Sequence, residues 1–455
     1  MPLVPREPGR LGIYVCGATV QSEPHVGHGR FAVVFDVIRR YLEWRGHRVT
    51  YVRNITDIDD KIIVAAAAAG ETVEGRAKRM AAIFEEAYEA LSVRPPDVEP
   101  KATEHVPEML ELIARLIDRG LAYPAPNGDV YFAVRAFERY GRLSGQRPDE
   151  LLAGARIEVV EEKHDPLDFA LWKAAKPDEP AWDSPWGPGR PGWHIECSAM
   201  AARYLGEDFA IHGGGTDLIF PHHENEIAQS EGASGTTFAR YWLHNGMVNL
   251  AGEKMAKSTG KLIGLAEAIA EYGGPTLRLF YLRAHYRSPL EYSDESLEGA
   301  AASIDRIRRF LRRAPRAVGD SPDPGAVARF TEAMDDDFGT PQALAIVFDA
   351  IAEANRSLDA GEDAADMVAA VHELLEVLGL EPGDADGDEA RVAALAIELG
   401  LAPADFEATM RAVLAARTDA RAQRDFARSD LIRDRLAAVG IVVEDTPDGP
   451  RWFWR

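Results

Sequence analysis

The chain has 455 residues, of which 46% are hydrophobic and 27% are charged, as in ordinary soluble globular proteins. Its length is sufficient for two to four domains, and its net charge of −23 argues against a broadly basic surface for nucleic acid. The first residues contain no apolar run typical of a signal peptide, and no segment is long and apolar enough to span a membrane, so we expect a cytoplasmic protein.

The N-terminal part of the chain predicts a strand, a helix and a second strand. Residues 12–15 form a short apolar run, and residues 29–44 show a helical pattern with apolar side chains on one face. Residues 49–54 begin the second strand. This order makes a βαβ unit and therefore predicts a parallel sheet. Helices over about residues 62–69 and 77–91 follow.

The sequence pattern changes twice along the rest of the chain. Residues 120–189 are rich in turns, with many Pro, Gly and Trp residues, and are predicted to be an insertion into the sheet domain. Apolar strand patterns return at 208–212 and 241–250. Beyond residue 275 the pattern is helical, until a short strand ends the chain. The predicted fold is α/β with helical domains after it.

Two histidines flank a glycine between the first strand and its helix, in the string His25-Val26-Gly27-His28. The free N–H groups and the dipole at a helix N-terminus favour phosphate there. Imidazoles can also donate hydrogen bonds to a phosphoryl group as its charge grows. Alone, the string is equally consistent with histidines that are incidental to a turn.

Two lysines lie in a later polar loop, in the string Lys254-Met255-Ala256-Lys257-Ser258. Lysines three apart can both reach one polyphosphate and neutralise a pyrophosphate leaving group. A solvated surface loop is the alternative for this string taken by itself.

The two cysteines of the chain, Cys16 and Cys197, are far apart and are not expected to form a structural disulfide. Two buried thiols without a metal are the simplest interpretation. If Pro221 begins a helix, however, His222 and Glu226 share one of its faces. Two thiolates, an imidazole and a carboxylate make a chemically sound zinc site, either structural or facing a substrate.

Together these strings resemble those of the cysteinyl-tRNA synthetase family. This family belongs to the class I aminoacyl-tRNA synthetases, which carry paired HIGH and KMSKS motifs on a Rossmann-like sheet. The resemblance covers nearly the whole chain, and its zinc-site strings are the most specific. The matching strings are YVCG (14–17), HVGH (25–28), VRNITDIDDKI (52–62), GWHIECSAM (192–200), IHGGGTDLIFPHHENEIAQSE (211–231), KMAKS (254–258), MDDDFGTPQAL (334–344) and RSDLIRDRLAAVGIVVEDT (428–446).

The resemblance implies ATP-dependent activation of L-cysteine and its transfer to tRNA(Cys), with magnesium accompanying ATP and a monomer as the expected state. One zinc ion, held by Cys16, Cys197, His222 and Glu226, would bind the substrate thiolate. His25 and His28 would stabilise the transition state, and Lys254 and Lys257 would hold the pyrophosphate. The other implied contacts are Gly27 and Asp217 for ATP, and Trp193, Thr56 and His212 for the substrate cysteine.

The resemblance also implies a domain order. A Rossmann-like catalytic domain would comprise residues 1–119 and 190–265, with the connective insertion at 120–189. A helical stem-contact region at 266–318, a helical bundle at 319–388 and an anticodon-binding domain at 389–455 would follow.

Residues of the C-terminal segment are candidates for phosphate contact and base stacking. They are Arg421, Arg424, Arg428, Arg433, Arg435, Trp452 and Trp454. A solvated helix face and a packed chain end are the alternative interpretation of the same residues.

One position departs from the family pattern, and two other functions stay open. Ala256 stands where the family has serine, but both lysines are present, so we expect activity. The first alternative is the related mycothiol-pathway ligase, which joins cysteine to a glucosaminyl-inositol amine, lacks a full anticodon-binding tail and typically has a small residue in place of Glu226. The second is a non-catalytic paralogue that binds tRNA or cysteine.

Overall fold

The computed structural model describes residues 3–147, 149, 162–177, 179–250, 253–254, 262–315, 321–381, 385–402, 406–438, 441–446 and 449–454. The chain divides into two compact units. The first comprises Met1–Ala266, Tyr281–Tyr292 and Ala333–Gln342, and the second comprises Glu267–Phe280, Ser293–Glu332 and Ala343–Arg455.

The regular elements are numbered here in chain order. The strands are β1 (Arg10–Val15), β2 (Arg48–Arg53), β3 (Ala122–Pro124), β4 (Val130–Phe132), β5 (Phe169–Ala174), β6 (Gly189–Pro191), β7 (Phe209–Gly215), β8 (Ala239–Asn245), β9 (Val248–Leu250), β10 (Glu253–Lys254), β11 (Leu290–Tyr292), β12 (Ile441–Thr446) and β13 (Gly449–Trp454). The α-helices are α1 (Val26–Trp44), α2 (Asp60–Ala69), α3 (Val73–Ala90), α4 (Val106–Asp118), α5 (Trp193–Leu205), α6 (Glu224–Ser234), α7 (Leu265–Tyr272), α8 (Gly274–Leu282), α9 (Asp294–Arg313), α10 (Pro324–Asp335), α11 (Thr340–Ala360), α12 (Ala365–Leu378), α13 (Ala385–Glu398), α14 (Phe406–Ala422) and α15 (Phe426–Ala438).

The central sheet of the first unit has the order β2-β1-β7-β8, and every neighbouring pair is parallel. Helix α1 connects β1 to β2, which confirms the predicted βαβ unit. Gly213 lets β7 pass close to this helix, because a Cβ there would lie 2.2 Å from Cε1 of Phe35. The prediction of an α/β fold with a parallel sheet is confirmed.

The turn-rich segment contains a separate antiparallel sheet of order β3-β4-β5-β6. It contacts the N-terminus of α2 through Asp60, whose carboxylate pairs with Lys173 Nζ at 2.5 Å and with the guanidinium of Arg190. Arg190 is buried and also pairs with Glu179. Charged contacts therefore connect this sheet to the helix that follows β2.

The strand predicted over 241–250 is in fact two strands in different sheets. β8 ends at Asn245 in the central sheet, whereas β9 lies between β10 and β11 in a three-stranded sheet. Gly246 separates them and approaches another segment closely, because a Cβ there would lie 2.3 Å from the carbonyl oxygen of Ser288. The apolar pattern alone does not reveal this break.

The second unit is mainly helical, as predicted for the C-terminal domains. A small core near its end joins α13, α14 and α15 to β12, with Ile432, Leu436 and Ile441 fully buried. Trp452 of β13 packs against this core. Within the described parts of both units, no helix combines the length and the apolar character needed to cross a bilayer.

Candidate active site

The four predicted metal ligands lie together in the first unit. Cys16 directly follows β1, Cys197 lies in the first turns of α5, His222 lies in a single turn before α6, and Glu226 lies in the first turn of α6. All four are buried, and their ligand atoms lie within 4.8 Å of one another. Sheet topology therefore gathers residues that are up to 210 positions apart.

The distances in this cluster suit one shared cation. Sγ of Cys16 lies 3.2 Å from Oε1 of Glu226 and 3.6 Å from Nε2 of His222, and the latter two atoms are 3.1 Å apart. Tetrahedral zinc with N, O and S ligands places them about 3.3–3.8 Å from one another. Among the described residues, the buried Oε2 of Glu226 has no hydrogen-bond partner, although Nε2 of His212 lies 3.5 Å from it. A buried carboxylate oxygen without a donor fits a site built for a metal ion.

The predicted helix start at Pro221 differs in detail. Regular α-helix begins at Glu224, and residues 219–223 form a wider turn in which Phe220 has extended φ and ψ angles. His222 and Glu226 nevertheless meet on one side, because the turn continues into α6.

Burial and hydrogen bonds in the cluster shift the pKa values of the two thiols in opposite directions. Burial raises the pKa of Cys16 well above its usual range. Burial acts the same way on Cys197, but hydrogen bonds from Cys16 and His222 outweigh it and lower the pKa of Cys197 to about 6. Burial would lower the pKa of His222, yet the charge of Glu226 raises it to about 10. The lowered pKa favours the thiolate form of Cys197, which is the form that binds a metal ion.

His212, which was predicted to support the substrate pocket, lies in direct contact with two of the predicted metal ligands. From β7, its Nε2 is 3.2 Å from Sγ of Cys16 and 3.5 Å from Oε2 of Glu226. His212 and His223 form a second possible ligand set with Cys16 and Glu226. The described residues therefore offer two overlapping sets that share the sulfur of Cys16 and the carboxylate of Glu226.

Sequence reasoning missed the histidines that surround the ligands. Nδ1 of His194 lies 2.9 Å from Nδ1 of His222, and Nδ1 of His223 lies 2.8 Å from Nε2 of His244. Burial lowers the pKa of both His194 and His223, so these rings are neutral. For His244 the sequence held one signal. Successive side chains of a strand point to opposite faces, so Trp242 and His244 of β8 lie on the same face, beside His212.

Trp193 bounds the cluster on one side. Its ring stacks on His222 with centroids 4.3 Å apart, and the Lys61 ammonium lies 5.5 Å from the indole centroid. The side chain is therefore placed to shape a pocket beside the ligands.

Thr56, a predicted contact of the substrate cysteine, is buried. Its hydroxyl donates to Oε2 of Glu196 at 3.1 Å and accepts from the amide of Asn54 at 3.3 Å. Asn54 in turn accepts a hydrogen bond from the backbone N–H of Gly17 at 2.9 Å. Glu196 and Asn54 are polar neighbours that the sequence did not single out, and they connect Thr56 to the segments that carry both cysteines.

The two histidines of the HVGH string cap helix α1. Nδ1 of His25 accepts from the N–H of Gly27 at 3.1 Å, and Nδ1 of His28 accepts from the N–H of His25 at the same distance. Their ring centroids are 3.8 Å apart. Gly27 is required here, because a Cβ would lie 2.9 Å from the ring of His25. Both imidazoles are thus held at a helix N-terminus, as predicted.

The structure describes the segments on both sides of the loop that carries the two lysines. Lys254 belongs to β10, whereas Lys257 and Ala256 lie outside the described residues. After the loop, Ile263 accepts from the N–H of Val26 at 3.1 Å, and Gly264 bridges to His25. A cavity of about 470 Å³ adjoins His25 and is lined by Arg76, Arg79 and Leu262, among others. The far end of the loop therefore returns to the HVGH string.

The remaining predicted residues are Asp217 and the candidates of the C-terminal segment. Asp217 is exposed in the short turn after β7. In the C-terminal segment the five candidate arginines are exposed, whereas Trp452 is half-buried against its core. The backbone of Trp454 belongs to β13, but its side chain lies outside the described residues.

Three family models match successive parts of the chain. Residues 2–302 match the family model of the tRNA synthetases class I (C) catalytic domain, residues 329–380 match the DALR domain, and residues 404–455 match the cysteinyl-tRNA ligase anticodon binding domain. The cysteine–tRNA ligase of Alkalilimnicola ehrlichii is 52% identical over 98% of this chain and 96% of its own length. The cysteine–tRNA ligase of Methylococcus capsulatus shows the same identity and the same coverage.

Solved structures resemble the fold at much lower identity. Methionyl-tRNA synthetase of Mycobacterium tuberculosis, in complex with methionyl-adenylate, superposes with a TM-score of 0.58 at 17% identity, covering 82% of this chain and 90% of that one. The LeuRS of Agrobacterium radiobacter, in a ternary complex with tRNA, gives a TM-score of 0.59 at 10% identity, covering 83% and 84%. These structures support the class I architecture of the fold.

Proposed function

Since this chain belongs to the cysteine–tRNA ligase family of class I aminoacyl-tRNA synthetases, we propose that Cys16, Cys197, His222 and Glu226 hold a zinc ion that selects the substrate by its thiolate. The enzyme uses ATP to attach cysteine to tRNA. The convergence of the four buried ligand atoms within 4.8 Å is the observation that carries the zinc proposal.

Zinc would supply a soft Lewis acid that favours sulfur over the hydroxyl of serine and lowers the pKa of a bound thiol. A hydrophobic slot alone discriminates such close analogues only about 10- to 200-fold. The ligands come from scattered segments and include a carboxylate, whereas structural zinc sites usually take paired Cys and His ligands. This pattern supports a metal that faces the substrate.

The chain's own side chains would hold and orient the rest of the substrate. Trp193, stacked on His222, would close one side of the cysteine pocket. The Thr56 hydroxyl would contact the substrate amino group, and His212 would support the pocket from β7. Positioning of this kind accounts for much of catalysis in reactions that need no covalent enzyme intermediate.

The nucleotide would bind at the N-terminus of α1 as its magnesium complex. Gly27 would contact the nucleotide at this helix N-terminus, and His25 and His28 would donate hydrogen bonds as charge grows on the α-phosphoryl group. Lys254 and Lys257 would neutralise the leaving pyrophosphate. Asp217 is assigned to the ribose side of the nucleotide.

The domain roles follow from the same family. We assign residues 1–119 and 190–265 to catalysis, 120–189 to the connective insertion, 266–318 to stem contact, 319–388 to the helical bundle and 389–455 to the anticodon. We further assign a monomer in the cytoplasm.

The experiment that tests the zinc proposal compares cysteine and serine as substrates for tRNA(Cys) transcript. Purified enzyme should contain one zinc per chain and should charge radiolabelled cysteine in the presence of excess serine. Chelation should abolish charging, and zinc should restore it. Cys197→Ser should lose both zinc and charging, while Ser234→Ala, a change at the half-buried last residue of α6, should keep both. Full cysteine charging by metal-free enzyme would overturn the proposal.

The same assay separates this activity from that of the related amine ligase. Both enzymes would form cysteinyl-adenylate, but only the tRNA ligase transfers cysteine to tRNA. The match of residues 404–455 to an anticodon-binding domain supports transfer to tRNA. Adenylate formation without transfer would point to the amine ligase instead.

A further inference from the structure

Arg30 is a fully buried arginine that donates hydrogen bonds to several backbone carbonyl groups. It lies on α1, two residues after His28, and its exposed fraction is 0%. Burial lowers its pKa to about 10, which leaves the guanidinium protonated near neutral pH. Across the described part of the chain, no carboxylate forms an ion pair with it. A buried unpaired charge is costly, so its carbonyl partners must compensate.

The guanidinium donates to carbonyl oxygens of two separate segments. Nη1 lies 2.9 Å from the oxygen of Gly246 and 3.0 Å from that of Met247. Nη2 lies 2.6 Å from the oxygen of Ser288, and it is also directed at the carbonyls of His285 and Tyr286 at 3.2 and 3.5 Å. The planar fork of arginine reaches both segments at once, which a lysine ammonium at the end of a flexible chain cannot do.

These two segments lead directly into the strands beside the lysine loop. Met247 precedes β9, and β9 pairs with β11, which begins two residues after Ser288. In the antiparallel pair of β9 with β10, Asn249 stands opposite Lys254. Asn249, which pairs with Lys254, lies two residues after Met247, whose carbonyl oxygen accepts a hydrogen bond from Arg30. Arg30 is therefore connected to the backbone of Lys254 through one strand, β9.

Gly246 brings the two segments together at the same point. Its N–H donates to the oxygen of Tyr286 at 2.6 Å, and an added Cβ would lie 2.3 Å from the oxygen of Ser288. Because Arg30 binds the carbonyls on both sides of this approach, it fixes the small sheet against the helix that carries His25 and His28.

We infer that Arg30 is a positioning residue for ATP-dependent activation, which holds the strand bearing Lys254 at a fixed place relative to the HVGH histidines. The inference rests on the proposed function of Lys254 as a pyrophosphate ligand. Arg30 does not contact substrate in this arrangement; it acts through the backbone of β9 and β10. Its loss should impair activation of cysteine and leave zinc binding unchanged, because none of its partners belongs to the ligand cluster.

The test compares Arg30→Lys with Arg39→Lys in the full-length enzyme. Arg39 is a control on the same helix, also little exposed, which donates to the carbonyl of Pro95 at 2.7 Å and pairs with Glu43 and Asp97. None of these partners belongs to the strands beside the lysine loop. Cysteine-dependent pyrophosphate exchange should fall about tenfold or more in kcat/KM for ATP with Arg30→Lys, and about twofold or less with Arg39→Lys. Zinc content and KM for cysteine should stay at wild-type values in both.

A double-mutant cycle with Lys254→Ala distinguishes positioning from general stability. If Arg30 acts through Lys254, Arg30→Lys should cost only about twofold in the Lys254→Ala background, because the interaction it supports is already absent. Equal losses in both backgrounds would overturn the inference alone. A normal Lys254→Ala enzyme would instead overturn the proposed role of Lys254, and with it the route assigned to Arg30.

Gly246→Ala provides a variant that keeps the arginine. The added methyl must separate Gly246 from Ser288, so it should reproduce the loss in kcat/KM for ATP even if Arg30→Lys does not fold. An enzyme with Gly246→Ala that melts at a lower temperature but activates cysteine normally would contradict the inference.

Discussion

The ring of His222 is fixed by contacts on both of its edges and one face. Nδ1 lies 2.9 Å from His194, Nε2 lies 3.1 Å from Glu226, and Trp193 covers the ring. A histidine ligand is usually oriented in this way by a partner on its second nitrogen. His212 has no such partner among the described residues, since its Nδ1 is buried without a hydrogen bond. His222 is therefore the better prepared ligand of the two.

This difference predicts unequal effects of removing each ring. His222→Asn should weaken zinc binding by more than about 100-fold, because it removes a ligand, whereas His212→Asn should weaken it about tenfold at most. Competition of each variant with a chelator of known zinc affinity measures both constants. The opposite order, with His212→Asn the more damaging, would mean that the second ligand set holds the metal.

At the scale of elements, a charged pair joins the starts of β7 and β8. Both oxygens of Asp208 accept hydrogen bonds from Arg240, from Nε and Nη2, each at 2.7 Å. These hydrogen bonds lower the pKa of Asp208 below its usual value. Asp208 also has a φ of +64°, a conformation that asparagine tolerates well. Asparagine at this position therefore removes the charge and leaves the backbone unstrained.

Asp208→Asn should lower the melting temperature by a pH-dependent amount. Because the pKa of the folded state is depressed, the carboxylate stabilises the fold fully above its unfolded pKa of about 3.9 and loses this effect as pH falls through the folded value. The difference from wild type should thus be constant from about pH 8 to pH 5 and should narrow below about pH 4. Calorimetry across this range provides the measurement. A difference that already shrinks between pH 7 and pH 6 would implicate a histidine instead.

Local patterns predicted the elements of the βαβ unit well, because the segment of α1 has a helical pattern of apolar residues and β1 and β2 contain short apolar runs. They failed at residues 241–250, where tertiary contact of Gly246 with Ser288 decides that β8 ends. The four ligands followed from a resemblance that spans the chain. His223 and His244 were missed, because their contact depends on how the turn before α6 meets β8, which no local spacing reveals.

At the scale of the whole molecule, charge is distributed unevenly. The net charge is −23, yet residues 401–455 contain nine arginines and nine acidic residues and are neutral. The five candidate arginines on α14, α15 and the turn between them are exposed. Arg433 pairs with Asp430 and Asp434, whereas the guanidinium of Arg428 forms no ion pair with any described residue. Arg428 is therefore the better placed to meet a phosphate.

Arg428→Gln should raise KM for tRNA about fivefold and reduce the dependence of log KM on log salt by about one, as expected for one phosphate contact. Arg433→Gln is the matched control on the same helix and should change both quantities little. Aminoacylation at several salt concentrations tests this, with cysteine activation as a check that the catalytic domain is unaffected. Equal salt dependence of wild type and Arg428→Gln would exclude a phosphate contact at Arg428.

The wide separation of the metal ligands has a consequence for biosynthesis. Cys16 leaves the ribosome 210 residues before Glu226, and at about 5–20 residues per second this interval lasts roughly 10–40 seconds. For most of that time β1 can pair with β2, whereas β7, its other neighbour, is made only near the end of the interval. The first thiol is therefore present in the nascent chain without its partners, exposed to oxidation or to other metals, and the proposed zinc site can be completed only after Glu226 has been made.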